Sequence, residues 1–241
     1  MDLSYCEKGL FAVSLCAAPL IGGRVDETPR WTSAIVPGAY FYNRVFNFAP
    51  SYAGDIADLR AAIEKGKAAE NVYISGADLT PEREELMKAE GFEVFAEQSA
   101  MSFDLSKEFP APLFPISQIG PQRAREWAAC VNTAIGKEDA PELFAALAER
   151  PEFFLFAVED EGRIVSTLML SLAHGIACMH EGGTYSEYRG RGCISSLMLH
   201  CMALAKKRGF RHIGLQASPM GAPVYEKLGY VNHGQMKHWH L

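Results

Sequence analysis

The segment Tyr188-Arg189-Gly190-Arg191-Gly192-Cys193-Ile194 limits the fold most tightly, because two glycines one residue apart stand between an extended-looking run and an amphipathic helix. Glycines there let the backbone bend and approach a ligand closely. Main-chain N–H groups that converge ahead of a helix make a seat for an anion. The helix is marked by Ile194, Leu197, Met198, Cys201, Leu204 and Ala205 at helical spacing. It closes on Lys206, Lys207 and Arg208 before Gly209, which suits a C-terminus. A solvated Arg/Gly turn ahead of a core helix has the same look, so the chain downstream decides between them.

From Arg211 the residues read as a short strand, then a helix over Pro219–Leu228 with Val224, Tyr225 and Leu228 apolar, a stop at Gly229 and a strand from Tyr230. Strand, Arg-Gly-Arg-Gly turn, helix, strand and a short helix carrying Tyr-Glu-Lys-Leu-Gly-Tyr resemble the GNAT superfamily of acyl-CoA-dependent N-acetyltransferases. The family motif is Arg or Gln, two residues, Gly, one residue, then Gly or Ala, and it binds the pyrophosphate of coenzyme A. Here Ile194 stands at the last position, a departure that still leaves a main-chain N–H to offer. The resemblance implies a pyrophosphate cradle from Arg189, Gly190, Arg191, Gly192, Cys193, Ile194 and Ser195. It implies a pantetheine arm running along Gly183, Thr184, Tyr185 and Ser186, the last standing where relatives often have Pro. It also implies that Tyr225 protonates the departing thiolate. Acetyl-CoA is then the co-substrate, with no metal required.

The general base is less constrained. His180 and Glu181 lie on the strand entering the turn, and regular alternation places them on opposite faces, so at most one of them points into a cleft. Consecutive Gly182-Gly183 in a strand suggest a bulge or a close backbone approach by a ligand. His238 and His240 flank Trp239 in the last strand, and with no third ligand in view they read as an exposed strand face.

Pro110, Pro112 and Pro115 crowd one short segment that can continue neither a helix nor a sheet interior. The expected boundary therefore divides the chain into 1–112 and 113–241. The second part reads as a strand at Ile116–Ile119, a helix with Pro121 in its first turn and Ala124, Trp127, Ala128, Val131 and Ile135 on one face, and a helix with Asp139 as N-cap candidate. A hairpin over Phe153–Leu172 and a strand over Ile176–Thr184 follow. The expected class is mixed α/β, a GNAT fold with a central mixed sheet flanked by helices, preceded by a smaller α+β N-terminal domain.

That N-terminal part repeats the plan weakly, with a helix at Asp55–Glu64, a strand at Asn71–Ser75, a helix at Pro81–Glu90 and a last strand through Met101, Phe103 and Leu105. Matching Gly91 to Gly229, an offset of 138, puts Met87 where Tyr225 stands, and nothing before Asp55 resembles Arg-Gly-Arg-Gly. A degenerate GNAT-like half is one reading, and an unrelated α+β domain the other. The run Phe41–Phe46 is a strand lining a cleft between the parts or else core.

With 241 residues, 49% of them hydrophobic, the chain can bury ordinary cores without covalent staples. Its six cysteines form no C-x-x-C pair and read as reduced core thiols. The apolar stretch Gly9–Gly22 is short, broken by Pro19 and preceded by Glu7, a poor secretory leader. A cytoplasmic protein off the membrane is expected. A net charge of −6 argues against nucleic acid as partner. Residues 1–112 hold 10 Lys+Arg against 17 Asp+Glu, which favours a cationic small-molecule amine as acceptor. A homodimer is compatible with the sequence. The competing reading is a non-catalytic module of the same fold that binds CoA or acts through protein contacts; Ile194 keeps it open and Tyr225 speaks against it.

Overall fold

The computed structural model describes residues 3–76 and 78–241. The N-terminal part runs α1 (Leu3–Leu20), β1 (Arg24–Glu27), β2 (Thr32–Ile35), β3 (Arg44–Phe46), α2 (Ala53–Glu64), β4 (Asn71–Tyr73), α3 (Pro81–Ala89) and β5 (Glu93–Asp104). After the proline-rich connection come β6 (Ser117–Ile119), a 3₁₀ turn, α4 (Ala124–Ile135), α5 (Pro141–Ala148), β7 (Phe153–Asp160), β8 (Arg163–Ser171), β9 (Cys178–Thr184), α6 (Cys193–Lys207), β10 (His212–Ala217), α7 (Ala222–Lys227) and β11 (Val231–His240).

Local signals account for most of these elements. The stripe Ala124, Trp127, Ala128 and Val131 buries α4 against the sheet, and Trp127 Nε1 donates to the Phe156 carbonyl at 2.9 Å. Gly136 ends the helix in the left-handed region, where a side chain would be strained. Glu161 and Gly162, both at positive φ, make the two-residue turn that suits the twist of the β7–β8 hairpin. Asp139 does not cap α5, whose N-cap is Ala140; its carboxylate instead accepts from the Tyr40 N–H at 2.8 Å and pairs with Lys137.

The eleven strands of the described residues form one sheet in the order β1-β2-β3-β4-β11-β5-β10-β9-β8-β7-β6. The order is nearly palindromic about its central pair. β3 and β4 are parallel, as are β9 and β10, while the other neighbours are antiparallel. The last strand of each half lies beside the parallel pair of the other, β11 next to β4 and β5 next to β10. In the central pair Val231 faces Ser102 and His240 faces Glu93, and the offset of 138 that superposes Gly91 on Gly229 carries each of these pairs onto the other. The two halves thus repeat one plan and exchange their final strands. The sheet runs unbroken past the Pro110–Pro115 segment.

Helices cover both faces. α1, α4 and α5 share one apolar cluster, whereas α6 packs on the other face against Met101, Phe103, Leu168, Leu170 and Ile213. Ala100 and Met236 of the central strands turn toward α1, while Met101 and Trp239 turn away from it. Five of the cysteines are buried. Among the described residues no helix is long and apolar enough to cross a membrane.

Candidate active site at a splay between two strands

β9 and β10 pair only at Cys178–Gly214 and Met179–Leu215, then diverge. From His180 onward the main chain of β9 has no strand partner on that side. On the other side the register to β8 shifts: Met169 faces His180 and Thr167 faces Gly183, so Glu181 and Gly182 together oppose Leu168. Two residues against one define a bulge. Glu181 takes up the extra residue at φ 60°, a left-handed conformation that costs a non-glycine residue about 1–2 kcal/mol.

This bulge corrects the expectation that His180 and Glu181 face opposite ways. The kink breaks the alternation, and both residues line the same cleft. Leu168, Met198, Leu215 and Tyr225 line it from the α6 side, and Lys137, Ile135 and Gln216 from the other; Phe41 and Gln98 reach in from the N-terminal half. Ile135, expected on the buried stripe of α4, is instead half exposed at this opening.

Glu181 is buried and held from two sides. Tyr42 Oη donates to its Oε1 at 2.5 Å, and Lys137 Nζ donates to its Oε2 and, at 2.5 Å, to Asp139 Oδ2. Burial works to lower the Lys137 pKa, but the two carboxylates outweigh it and raise it above the ordinary lysine value. Burial likewise raises the Asp139 carboxyl, against the pull of Lys137. Tyr42 is pushed well above the usual phenol range by burial and by the Glu181 charge. Lys137, Tyr42, Phe41, Gln98 and Gln216 carry no motif; the nearest signal was the Phe41–Phe46 run, whose first residue lines the cleft.

His180 is buried, and burial followed by the Arg44 and Lys137 charges lowers its pKa to about 3, so the ring is neutral at ordinary pH. Its Nε2 has no hydrogen-bond partner among the described residues. Tyr225, on α7, stands across from the bulge. A Cβ built on Gly182 would lie 3.6 Å from the Tyr225 hydroxyl, 3.4 Å from Ile194 Cδ1 and 3.3 Å from Leu168 Cδ1. The missing side chain at Gly182 therefore leaves a methyl-sized space bounded by the Tyr225 hydroxyl, Ile194 and Leu168. Burial raises the Tyr225 pKa. Gly183 has a different reason: its Cβ would meet Ala134 Cβ at 2.9 Å, so it lets α4 lie against the strand.

At the far end of the splay Gly190 and Gly192 take φ 75° and 90°, and Gly192 is the N-cap of α6. No side chain caps that helix and its first turn holds no acidic residue, so the N–H groups of Cys193, Ile194 and Ser195 keep their capacity for an anion. Arg189 donates to the carbonyls of Thr184 and Ala134, and Arg191 donates to the Glu187 carbonyl and stacks on Tyr188. Ser186 lies in a 3₁₀ turn, and Tyr185 donates its N–H to Val165.

The start of α2 differs in holding a carboxylate of its own against the chain that enters the helix. Asp55, its third residue, accepts from the N–H groups of Ser51 (2.8 Å) and Tyr52 (3.3 Å) and from the Ser51 hydroxyl (2.8 Å). His238, expected on an exposed face, is buried among Phe41, Tyr73 and Phe95, with Arg44 Nη1 3.2 Å from its Nδ1, because β11 lies inside the sheet rather than at its rim. Among the described residues no group of three or more His, Cys, Asp and Glu is placed to hold a metal ion.

Residues 122–230 match the model of the acetyltransferase (GNAT) family. Among solved structures, the chain is similar to a GCN5-related N-acetyltransferase from Kribbella flavida, with 14% identity, TM-score 0.70, and 96% of this chain and 94% of that one covered. A functionally unknown conserved protein from Staphylococcus epidermidis aligns at 12% identity and TM-score 0.67 over 91% and 94%. A GCN5-related N-acetyltransferase from Sphaerobacter thermophilus aligns at 20% identity and TM-score 0.57 over 76% and 64%. At these identities the likeness is one of fold. No curated protein matches the chain.

Proposed function

We propose, from the match of residues 122–230 to the acetyltransferase (GNAT) family, that the protein transfers an acetyl group from acetyl-CoA to a primary amine of a small-molecule or amino-acid-like acceptor. One observation carries the reading: the open β9–β10 splay has an uncapped helix N-terminus at one end and the Tyr225 hydroxyl, beside the Gly182 gap, at the other. The residues present fit the co-substrate, since a Cβ at Gly182 would fill the gap and none at Gly190 would meet anything within 4 Å.

Of the segment Arg189 to Ser195, the backbone N–H groups from Gly190 onward hold the pyrophosphate, Arg189 N–H being taken by the Ser186 carbonyl, and the two arginines add positive charge at the rim. The open edge of β9 at Gly183 and Thr184, continued by Tyr185 and Ser186 just beyond the strand, runs beside the pantetheine arm, whose amides meet main chain there as an added strand would. When bound, acetyl-CoA supplies an activated acyl group as a thioester. Tyr225, kept protonated by burial, donates its proton to the sulfur as negative charge develops there. His180 offers the unshared pair of Nε2 to an N–H of the attacking neutral amine; a ring whose pKa is lowered to about 3 orients the amine by accepting that hydrogen bond, and the amine's proton passes on to solvent. Glu181, with both oxygens already engaged, fixes the bulge and supplies negative charge beside the amine. Phe41 and Gln98 reach into the cleft from the N-terminal half, and we assign that side to the acceptor. The acidic balance of that half favours a cationic acceptor.

We further assign the two GNAT-like parts to 1–112 and 113–241, one cofactor site to the second part alone, and the cytoplasm as location. The test is release of free CoA across a panel of primary amines, with a no-acceptor control. Acceptor-dependent release is expected. Tight acetyl-CoA binding with no release above the control for any amine would favour a non-catalytic CoA-binding module.

A further inference from the structure

Cys178 of β9 faces α1, since a Cβ built on Gly9 would lie 2.6 Å from its Sγ, and His180 follows two residues later on the same face. Gln216 of β10 also faces α1, where its amide nitrogen donates to the Cys6 carbonyl at 2.8 Å and to Cys178 Sγ at 3.5 Å. On β5, Ala100 packs with Cys6 and Leu10 of that helix, and Gln98 stands two residues before it. His180, Gln216 and Gln98 thus rise from one face of three successive strands, and all three line the cleft. β10 ends at Ala217, opposite Ser99, so Gln98 is the first residue of β5 past the end of its neighbour.

The outer two of these side chains are incomplete. Gln98 Oε1 and His180 Nε2 are buried and have no hydrogen-bond partner among the described residues, whereas the Gln216 amide nitrogen between them is engaged. A buried polar atom without a partner is costly, and two of them in one cleft suit a ligand that supplies what they lack. An amide oxygen only accepts, so the group missing at Gln98 is a donor.

We propose that Gln98 is a specificity-determining residue whose Oε1 accepts a hydrogen bond from a second donor group, a hydroxyl or amide N–H, at the far end of an acceptor whose amine lies at His180. The inference rests on the acetyl-transfer reading and deepens it by naming the acceptor class. β10 separates β9 from β5, so their backbones stand about 10 Å apart. An acceptor that reaches both atoms therefore carries its donor several bonds from its amine, with a carbon chain between them beside Phe41. A plain alkylamine leaves Oε1 buried and unpaired, and a site built to hydrogen-bond a substrate group discriminates against the analogue that lacks it. Because β5 belongs to the first half of the chain, the half to which no cofactor is assigned selects the acceptor.

Two homologous series test this on the full-length protein with acetyl-CoA: α,ω-amino alcohols and n-alkylamines of matched chain length, assayed by CoA release. At the length that spans the cleft, the amino alcohol should exceed its alkylamine at least about tenfold in kcat/KM. In Gln98→Leu, which removes the amide and keeps the bulk, that preference should shrink to within about twofold, with the loss appearing in KM for the amino alcohol. Gln98→Glu retains an acceptor oxygen and should retain the preference. Acetyl-CoA titration shows whether each variant is folded, and the wild-type comparison stands without any variant. Equal kcat/KM across the two series, or a preference that survives in folded Gln98→Leu, overturns the assignment and leaves acetyl transfer standing. Turnover of neither series also overturns it. Turnover of no primary amine at all overturns the acetyl-transfer reading beneath it.

Discussion

Asp55 and Ser195 hold the same place, the third residue of α2 and of α6, in two halves that share one sheet plan. In the first half the carboxylate of Asp55 accepts from the N–H groups of Ser51 and Tyr52, the two residues ahead of the helix. In the second half Ser195 leaves the equivalent N–H groups open. The start of α2 thus carries an internal carboxylate and the start of α6 does not, which leaves the latter available to a phosphate.

Tyr225→Phe keeps the ring packed beside Gly182 and removes only the hydroxyl. Because the proposed proton transfer belongs to the chemical step, kcat should fall about 10²-fold while acetyl-CoA affinity stays within a few fold. Steady-state turnover and calorimetric titration separate the two. Wild-type turnover under conditions where chemistry limits would make Tyr225 a packing residue.

Lys137→Met leaves the buried carboxylates of Glu181 and Asp139 without their shared cation. Removing one partner from a buried charge cluster costs about 3–5 kcal/mol, and denaturant unfolding should show a loss of that order. A loss below about 1 kcal/mol would mean that the cluster relaxes at little cost.

Acid should destabilise the fold through its buried histidines. The His180 ring takes a proton near the ordinary histidine value of 6.5 when unfolded but only near about 3 when folded. The unfolded chain thus binds more protons between these values, and stability present above pH 6.5 is lost as pH falls toward 3. Between pH 6.5 and 5 this amounts to about 2 kcal/mol from His180. Burial and then Arg44 shift His238 in the same direction. Unfolding titrations at the two pH values should show that loss, and His180→Gln should recover about 2 kcal/mol of it. Equal losses in variant and wild type would contradict the buried neutral ring.

What the sequence disclosed follows from where its patterns were local. α4, α6, the β7–β8 hairpin and the Gly190–Gly192 turn carry their periodicity and turn residues within a few positions, and each stands where expected. α1 is buried almost all round, so no polar stripe marks its period, and β1 to β3 are only three or four residues long. Gly182-Gly183 signalled a bulge, yet the alternation drawn for His180 and Glu181 assumed a regular strand. Tyr42, Lys137, Gln98 and Gln216 converge only once the two halves share a sheet. Nothing local distinguishes them from ordinary core or surface residues.

Ser195→Asp tests the central claim most directly, because it installs in α6 the self-cap that α2 already has and avoids the strain of a side chain at Gly192, whose φ is 90°. An acidic third residue also suits a helix N-terminus, so the variant should fold at least as stably as the wild type. Calorimetric titration of the full chain with acetyl-CoA should give one site per chain in the wild type. In Ser195→Asp the affinity should fall at least about tenfold, or about 1.4 kcal/mol. Two sites in the wild type, or unchanged affinity in a folded Ser195→Asp, would contradict a single cofactor cradle at the start of α6.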